Sequence, residues 1–260
     1  MKNKIDIPKY KEKIFKQKTN DFALIIPVIN EGKKIQNQLR KIQESNLTVD
    51  VIIADGGSTD GSLDFDFLIE QNVNAILIKN DVGKLSSQLR IAYHWALQRG
   101  YKGLITVDGN NKDDISFIPN VMNALSAGFD YVQGSRYING GFSKNTPFDR
   151  KIANRFIHAP IISLATGFKF TDTTNGLRGY SSKFLNNKQV QPFRDVFINY
   201  ELLFYLSVRA CKLKFKVCEV PVSRIYPNDS ATPTKITGLN SRINILKQTI
   251  FASLGCYDPK

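Results

Sequence analysis

Runs of continuous, β-branched apolar residues alternate with segments of helical periodicity through the first half of this chain. The first run covers residues 22–29 and the second residues 49–55, and three further strand-like segments follow, with the sequences NAILIK, GLITVD and FDYVQGSR. Such short runs are typical of strands that are covered on both faces. Apolar residues at helical spacing, such as Ile35, Leu39 and Ile42, lie between them. The alternation predicts an α/β fold with a mostly parallel, twisted sheet flanked by helices.

Polar residues follow each of these predicted strands. They are NEG after the first, DGGSTD after the second, NDVGK after the third, DGNNKDD after the fourth and GSRY after the fifth. The carboxyl ends of parallel strands meet at one edge of a sheet, where α/β proteins bind their ligands. Carboxylates, glycines and basic side chains gathered at that edge predict a site for a phosphate-bearing ligand.

The alternation stops after Arg136. The pattern then predicts a loop, a helix over 151–166, a short strand in GLRGYSS, a helix over 196–213 and a strand in FKVCEVPV. We divide the chain into a basic N-terminal arm, mobile or helical, over 1–20, a core domain over 21–240, and a C-terminal amphipathic helix and tail over 241–260. The apolar stripe of that helix is expected to contain Ile243, Leu246 and Ile250.

Composition narrows the classes of partner. With 36 Lys and Arg against 23 Asp and Glu, the net charge is +13, which suits nucleic acid, an acidic membrane face or a phosphate-bearing substrate. Nucleic acid is not expected, because no basic helix is interleaved with aromatics. No apolar stretch is long enough to predict a transmembrane helix. Three cysteines without a CxxC pair favour a reduced, cytoplasmic setting.

The nucleotide-binding patterns GxGxxG and GxxxxGK[ST] are both absent, which argues against dehydrogenases and P-loop enzymes. A different series is present, and its members occur in this order: IPVINEG, ADGGSTDGS, GKLSSQLR, VDGNNKDD, QGSRYINGG, TPFDRK, TNGLRGYSS and EVPVSRIYP followed by PTKITG. The series resembles the inverting family 2 glycosyltransferases of the GT-A fold, and within them the dolichol-phosphate or polyprenyl-phosphate mannose synthase branch. The resemblance runs from about Phe22 to Gly238.

The resemblance implies a site for the nucleotide of a nucleotide-diphospho-sugar. The family residues that hold the base, ribose and diphosphate match Pro27, Ile29, Glu31, Asp55, Gly83, Lys84, Asp108 and Lys235. Ile29 replaces the usual aromatic residue, and Gly56 replaces the second carboxylate of the family's DDGS turn. Lys235 belongs to a C-terminal loop expected to close over the diphosphate.

The resemblance also implies a Mg²⁺ or Mn²⁺ site, because GT-A enzymes carry a DxD motif whose carboxylates bind the metal. This chain has Asp108, Gly109 and Asn110, so one ligand keeps its charge and the other is a neutral amide. Asp113 or Asp114 could compensate. Alternatively, Lys112 could itself supply positive charge.

Arginines and acids complete the expected site. Arg136 and Arg150 match family residues that face the acceptor phosphate or the donor diphosphate, and Arg178 matches a segment near the sugar. A sugar-hydroxyl acceptor would need a general base, for which Glu201 and Asp195 are the candidates and Asp172 a weaker one. The expected catalytic residues are therefore Glu201, Asp195, Arg136 and Arg178.

We therefore predict an inverting glycosyltransferase that moves a sugar from UDP or GDP to a polyprenyl-phosphate or glycan acceptor, in cell-surface polysaccharide or glycolipid biosynthesis. It would lie in the cytoplasm, with possible peripheral contact on an anionic membrane. The alternative is a catalytically weakened glycosyltransferase-like module that binds a sugar nucleotide. A sugar nucleotidyltransferase is less compatible, because the Gly-rich loop after the first strand is absent.

Overall fold

The computed structural model describes residues 5–227 and 238–259. Its largest element is an eight-stranded sheet with the order β1-β4-β3-β2-β5-β8-β6-β9, and β7 and β10 form a second, two-stranded sheet. The strands are β1 Tyr10–Ile14, β2 Phe22–Val28, β3 Asp50–Asp55, β4 Ala75–Lys79, β5 Gly103–Thr106, β6 Tyr131–Ser135, β7 Phe142–Lys144, β8 Arg178–Ser181, β9 Val217–Pro221 and β10 Ser223–Ile225.

Helices cover both faces of the large sheet. They are α1 Lys33–Glu44, α2 Phe65–Glu70, α3 Leu85–Gln98, α4 Ile118–Ser126, α5 Phe148–Ile152, α6 Ala159–Thr166, α7 Ser182–Leu185, α8 Glu201–Lys212 and α9 Gly238–Ser253. A 3-10 turn, Ile115–Phe117, precedes α4, and a π-helix, Ala153–His158, joins α5 to α6.

The sheet confirms the predicted α/β class and most of its predicted direction. β4, β3, β2 and β5 are mutually parallel, as are β6 and β9. The exceptions are β8, which lies antiparallel between β5 and β6, and β1, which pairs antiparallel with the edge of β4.

Over its described residues, 5–20, the N-terminal arm is not the expected mobile or helical lead-in. Residues 10–14 form an edge strand whose Tyr10 lies opposite Lys79. Before the strand, the Arg90 guanidinium pairs with Asp6 at 2.8 Å, and within it Glu12 accepts a hydrogen bond from the Trp95 indole. The sequence YKEKI does not look like a buried strand because an edge strand with one solvated face tolerates charges.

Each strand contributes to two cores because successive side chains point to opposite faces. In β2, Ala23 and Ile25 face a core that contains residues of α3 and α8, whereas Leu24 and Ile26 face residues of α1, α2 and α4. β2 is therefore apolar along its whole length. The carboxyl ends of the parallel strands β2, β3, β4 and β5, which carry the polar loops, lie at one edge of the sheet.

Helix α9 packs on α8 and α6, but not through the predicted stripe. Its buried residues include Thr249 and Ala252, both at most 1% exposed, while Ile243 is 52% and Ile250 36% exposed. Of the predicted stripe, Ile243 and Leu246 line a cavity, and Ile250 is exposed. Within residues 5–227 and 238–259, no helix is both long and apolar enough to cross a bilayer.

Candidate active site

A cavity of about 940 Å³ lies at the carboxyl ends of β2, β3, β5 and β6. Most residues singled out from the sequence line it. They are Pro27, Ile29, Glu31, Gly83, Lys84, Asp108, Asn110, Arg136, Arg150 and Arg178. Of the remaining candidates, Asp55, Asp195 and Glu201 are not among the lining residues, and Lys235 lies outside the described residues.

The loops after β2 and β3 are joined by reciprocal hydrogen bonds. Asn30 N–H donates to Ser58 Oγ at 3.0 Å, and Thr59 N–H donates to Asn30 Oδ1 at 2.8 Å. The Asp55 carboxylate is 3% exposed and accepts from Ser58 N–H at 2.9 Å and Ser58 Oγ at 2.6 Å. Asp55 therefore shapes this turn, and its expected bond to a nucleotide base remains a prediction.

Gly83 and Lys84 begin α3 beside the segment that precedes α8. Gly83 has φ +103°, and a Cβ there would lie 2.0 Å from Ser87 Oγ, so only glycine fits. Lys84 N–H donates to the Ile198 carbonyl at 2.8 Å. This bond fixes the start of α3 against residue 198.

Neither predicted general base is among the residues that line the cavity, and their role in catalysis stays a prediction. Glu201 is 6% exposed, and its carboxylate accepts from Ile198 N–H at 3.1 Å, from Asn199 N–H at 2.6 Å and from the Asn199 amide. It holds the turn that precedes α8. Asp195 is exposed, and its charge acts on Arg90, whose guanidinium binds the Phe197 carbonyl and Asp6.

An arginine that we did not predict as a site residue lies against the metal motif. One Nη of Arg224 donates to Asp108 Oδ2 at 3.1 Å, and the other contacts Asp113 Oδ2. Burial disfavours its charge, but Asp113 and Asp108 outweigh burial and hold the Arg224 pKa well above its ordinary value. A permanently charged guanidinium thus pairs with the predicted metal ligand.

The remaining groups of the motif are also poor metal ligands. The Asn110 amide donates to Asp108 Oδ2 at 3.4 Å, and its oxygen accepts from Lys112 N–H at 3.3 Å. Asp113 is buried behind Arg224, and Asp114 accepts from Ser116 N–H at the start of the 3-10 turn, so neither compensates for Asn110. Lys112 lines the cavity, and burial together with the Arg224 cation lowers its pKa.

A divalent cation does not fit this donor set. One partly exposed carboxylate is already paired with a cation, and the Lys112 side chain lines the same cavity. Within the described parts of the chain, no three His, Cys, Asp or Glu side chains are arranged to hold a metal ion. Hard divalent ions need several oxygen ligands, and carboxylates contribute most of their affinity.

Arg136 lines the cavity and is held rigidly by an ion pair. Its Nε and Nη2 bind both oxygens of Asp172 at 2.6 and 3.0 Å, and Nη2 also reaches Thr174 Oγ1 at 3.0 Å. Asn154 Nδ2 donates to the same carboxylate at 3.1 Å. Burial disfavours the charge, but Asp172 raises the Arg136 pKa above its ordinary value. Asp172 is consumed by this network and is not available as a base.

Arg178 holds backbone segments beside the cavity through hydrogen bonds. It is 1% exposed and donates to the carbonyls of Thr173, Asn175 and Leu203 at 2.8 to 3.0 Å. Nε and Nη2 therefore fix the loop 173–176, and Nη1 ties Arg178 to the first turn of α8. These contacts support a positioning role, and a catalytic role for Arg178 stays a prediction.

The far end of the cavity is lined by side chains of α5, the π-helix, α8 and α9. Its apolar residues are Ile157, Phe204, Ile243 and Leu246, and they lie with Arg150, His158 and the ion pair between Asp149 and Arg242. His158 Nδ1 lies 2.9 Å from Thr249 Oγ1, and its ring stacks on Phe204 with an interplanar angle of 10°. Burial lowers the His158 pKa, which favours a neutral, packed imidazole.

The site combines polar loops at the strand ends with arginines held in place by hydrogen bonds. A comparison of the sequence with protein families identifies the class of protein to which this site belongs. The sequence model of Glycosyl transferase family 2 matches residues 23–187, well over half of the chain. The chain belongs to this family. It is therefore a glycosyltransferase, and the predicted family and enzyme class are confirmed.

Curated relatives of this family 2 glycosyltransferase are similar along most of their length. The polyprenol monophosphomannose synthase of Mycolicibacterium smegmatis is 24% identical over 232 residues, which is 88% of this chain and 86% of the relative. The undecaprenyl-phosphate mannosyltransferase of Micrococcus luteus is 25% identical and covers 76% of this chain and 81% of its own. An N-acetylglucosaminyltransferase of Methanococcus voltae, named for UDP-N-acetylglucosamine and dolichyl phosphate, is 28% identical, with shares of 78% and 85%.

Solved structures show the GT-A fold of the glycosyltransferase. Glucosyl-3-phosphoglycerate synthase from Mycobacterium tuberculosis, in complex with Mn²⁺, UDP and phosphoglyceric acid, superposes with a TM-score of 0.65 at 13% identity. The match covers 92% of this chain and 79% of that one. The predicted GT-A fold is confirmed.

Three functional groups of the glycosyltransferase were missed or only partly seen in the sequence. Arg224 stands in the motif EVPVSRIYP, but its partner Asp108 is 116 residues away. Asn154 and Thr174, which orient Arg136 and Asp172, are ordinary polar residues without a motif of their own. Of the three, only Arg224 could have been found from the sequence, because it is a charged residue inside one of the motifs.

Proposed function

We propose that this glycosyltransferase moves a sugar from a UDP- or GDP-sugar to a polyprenyl phosphate, with inversion at the anomeric carbon. The named activities of the M. smegmatis, M. luteus and M. voltae relatives support a lipid-phosphate acceptor. The observation that carries the proposal is the far end of the cavity, where Arg150 lies among apolar side chains beside an exposed apolar surface.

The cavity has two chemically different ends. The loops of Pro27, Glu31, Gly56 and Lys84 offer polar contacts to a nucleotide. At the other end, Ile157, Phe204, Ile243 and Leu246 provide the apolar walls. An isoprenoid chain with a phosphate head matches such an end, whereas a glycan would need more polar partners.

The exposed apolar surface, which we call the apolar stripe, consists of Phe148, Ile152, Phe156 and Leu164. These residues recur at intervals of four or eight along α5, the π-helix and α6, and they are 77%, 39%, 69% and 86% exposed. Lys151 and Arg155 lie beside them and are also exposed. Aromatic and aliphatic side chains flanked by basic residues suit the interface of an anionic bilayer, from which a polyprenyl phosphate would enter.

The reaction is a direct displacement. An oxygen of the acceptor phosphate forms a bond to the anomeric carbon, and the bond from that carbon to the diphosphate oxygen breaks. The nucleoside diphosphate leaves with the electron pair. The acceptor oxygen is already anionic, so no proton has to be removed, and the absence of Glu201 and Asp195 from the cavity lining agrees with this chemistry.

Arg136 and Arg150 would bind the acceptor phosphate. The Asp172 fork leaves the Arg136 guanidinium oriented before substrate arrives, so little conformational freedom is lost on binding. We place the reaction in cell-surface polysaccharide or glycolipid biosynthesis, at the cytoplasmic face of the membrane. Sugar carried on a polyprenyl phosphate is a membrane-bound donor for such pathways.

The test is a transfer assay with GDP-mannose, UDP-glucose and UDP-N-acetylglucosamine as donors. The acceptors are a polyprenyl phosphate, the matching polyprenol and a free oligosaccharide. We expect one donor to give a β-linked product from its α-linked sugar, and only with the phosphorylated lipid. Transfer to the oligosaccharide alone would overturn the proposed acceptor. Nucleotide binding without any transfer would favour the alternative of a weakened binding module.

Membrane contact is tested separately by cosedimentation with vesicles that contain phosphatidylglycerol. The double variant Phe156→Ser/Leu164→Ser should weaken cosedimentation about tenfold or more, because both side chains are expected to enter the interface. Ile69→Ser is the matched control, since Ile69 is 48% exposed on α2, away from the cavity. Equal loss in the control, or no loss in the double variant, would argue against the apolar stripe as the membrane surface.

A further inference from the structure

We propose that Lys112 and Arg224 bind the diphosphate of the donor directly and that nucleotide binding by this chain needs no divalent metal. The inference rests on the proposed function, because it requires a nucleotide-diphospho-sugar in the cavity. It goes beyond that function by assigning two side chains to the place where related enzymes hold a metal.

Backbone hydrogen bonds on both sides of Arg224 hold this residue in place. Its strand β10 pairs with β7, and Arg224 forms a bridge with Asp113. On either side, Ile225 N–H donates to the Lys112 carbonyl and Asp114 N–H to the Ser223 carbonyl, both at 2.9 Å. The loop that carries Asp108 and the strand that carries Arg224 therefore form one rigid unit.

Lys112 is a buried cation that faces the cavity without an anionic partner. It is 7% exposed and lines the cavity. Among the residues that the structure describes, its ammonium forms no hydrogen bond or ion pair, and it lies 5.0 Å from the centre of the Tyr226 ring. A buried ammonium without a partner is costly. An anion in the cavity would supply the missing partner.

The charges around Asp108 favour an anion over a cation. Asp108 and Asp113 contribute two negative charges, and Arg224 and Lys112 contribute two positive ones. A metal ion would meet no net negative charge, and Asp108 Oδ2 already accepts from Arg224 and the Asn110 amide. A diphosphate would instead meet two cations that line the cavity, and guanidinium and ammonium donors suit phosphate oxygens.

The first experiment is calorimetric titration of the whole chain with UDP and with GDP, each in EDTA, in Mg²⁺ and in Mn²⁺. We expect one nucleotide to bind with dissociation constants that agree within about twofold in the three conditions, a difference well under 1 kcal/mol. Tightening by about tenfold or more on adding metal would overturn the inference and leave the proposed function intact. No binding of either nucleotide in any condition would overturn both.

Variants at Lys112 make the test specific to this side chain. Lys112→Gln should weaken nucleotide binding in EDTA by about tenfold, the value of one charge-assisted hydrogen bond. Asn110→Asp/Lys112→Gln restores an acidic pair and should recover binding only when Mn²⁺ is added. Lys102→Gln, at an exposed lysine paired with Asp21, is the matched control and should bind like the parent.

Thermal unfolding of each variant separates loss of binding from loss of fold. Because the Lys112 ammonium has no anionic partner among the described residues and contacts only the Tyr226 ring, its replacement should leave the melting temperature nearly unchanged or raised. Unchanged nucleotide affinity in a folded Lys112→Gln protein would overturn the inference. A parallel titration of Mn²⁺ followed by electron paramagnetic resonance should find no binding to the parent and clear binding to the double variant.

Discussion

Individual charged residues at this site act through partners that are distant in the sequence. Arg224 meets Asp108 across 116 positions, and Arg136 meets Asp172 across 36. In both pairs a carboxylate that could have been a ligand or a base is committed to holding an arginine. The motifs correctly predicted which residue types gather at the strand ends. They could not predict which carboxylates remain available, because that depends on side-chain pairing.

Glu201 provides a prediction at the scale of one residue. Glu201→Gln should keep kcat/KM for transfer to polyprenyl phosphate within about threefold, whereas loss of a general base costs about 10²–10⁴-fold. The glutamine oxygen can still accept from Ile198 and Asn199, so we expect the free energy of unfolding to fall by only about 1 kcal/mol. Steady-state kinetics and urea unfolding measure the two effects.

Asp195→Asn is the companion variant, since Asp195 is exposed and directed toward Arg90. It should behave like the parent protein in both measurements. A loss of about a hundredfold in either variant would reinstate that carboxylate as a catalytic group.

Strands with long apolar runs were predicted correctly from the sequence. Strands and helices with one face in solvent were not. The strands β2 to β6 occur where their continuous apolar sequences predicted them. β1 was missed because its charged residues suit an edge strand. On α9 the fully buried positions Thr249 and Ala252 were missed, because they carry less apolar signal than the more exposed Ile243 and Ile250. Apolar content alone does not reveal which face of a helix is covered.

The loop 173–176 yields a prediction at the scale of an element. A Cβ at Gly176 would lie 2.3 Å from Asp108 Oδ1, so Gly176→Ala must displace that carboxylate or the loop. We expect nucleotide affinity to fall by about tenfold or more, with a small change in melting temperature because Asp108 is partly exposed. Titration calorimetry and thermal unfolding measure the two effects.

Gly128→Ala is the matched control for that change. Gly128 has φ +87° after α4, a Cβ there would meet no atom of the described chain within 4 Å, and the residue is remote from the cavity. The left-handed backbone should cost about 1 kcal/mol of stability without altering nucleotide affinity. If both variants lost affinity equally, a general loss of stability would explain the result instead of contact with Asp108.

For the whole molecule, the sequence predicted the sheet and the edge at which the site forms, but not the second half of the site. The alternating pattern ends at Arg136, and beyond it the chain inserts β8 antiparallel and brings β10 against the loop of Asp108. These arrangements depend on long-range pairing of short strands. Three to five residues of strand carry too little pattern to specify their neighbours.

Asp50 provides a prediction for the stability of the whole molecule, because its carboxylate joins three segments. It is 1% exposed and accepts from Thr19 N–H at 2.8 Å, from the Asn20 amide at 2.7 Å and from Tyr101 OH at 2.8 Å. Burial alone would raise the Asp50 pKa, but these donors outweigh it and lower the pKa below its ordinary value. The ionised carboxylate therefore stabilises the folded state.

The sign follows from proton linkage. An unfolded aspartate binds its proton near pH 4 and the folded one at a lower pH, so this stabilisation is present above about pH 4 and is lost as the pH falls through the folded value. Asp50→Asn should lower the free energy of unfolding by about 2–3 kcal/mol at pH 7 and by less at pH 3. Urea unfolding at both pH values checks this, with exposed Glu70→Gln as control; a deficit independent of pH would contradict it.

The insertion of β8 between β5 and β6 has a consequence for the order in which the protein acquires its structure. As the chain leaves the ribosome, β5 and β6 emerge early, but the strand that joins them is Arg178–Ser181. Until then, one edge of β5 and both edges of β6 have no neighbour, and the second edge of β6 waits for β9; such edges are open to pairing with other nascent chains. We therefore expect a late, cooperative closure of the sheet, and a chaperone requirement confined to the interval before residue 221 is synthesised.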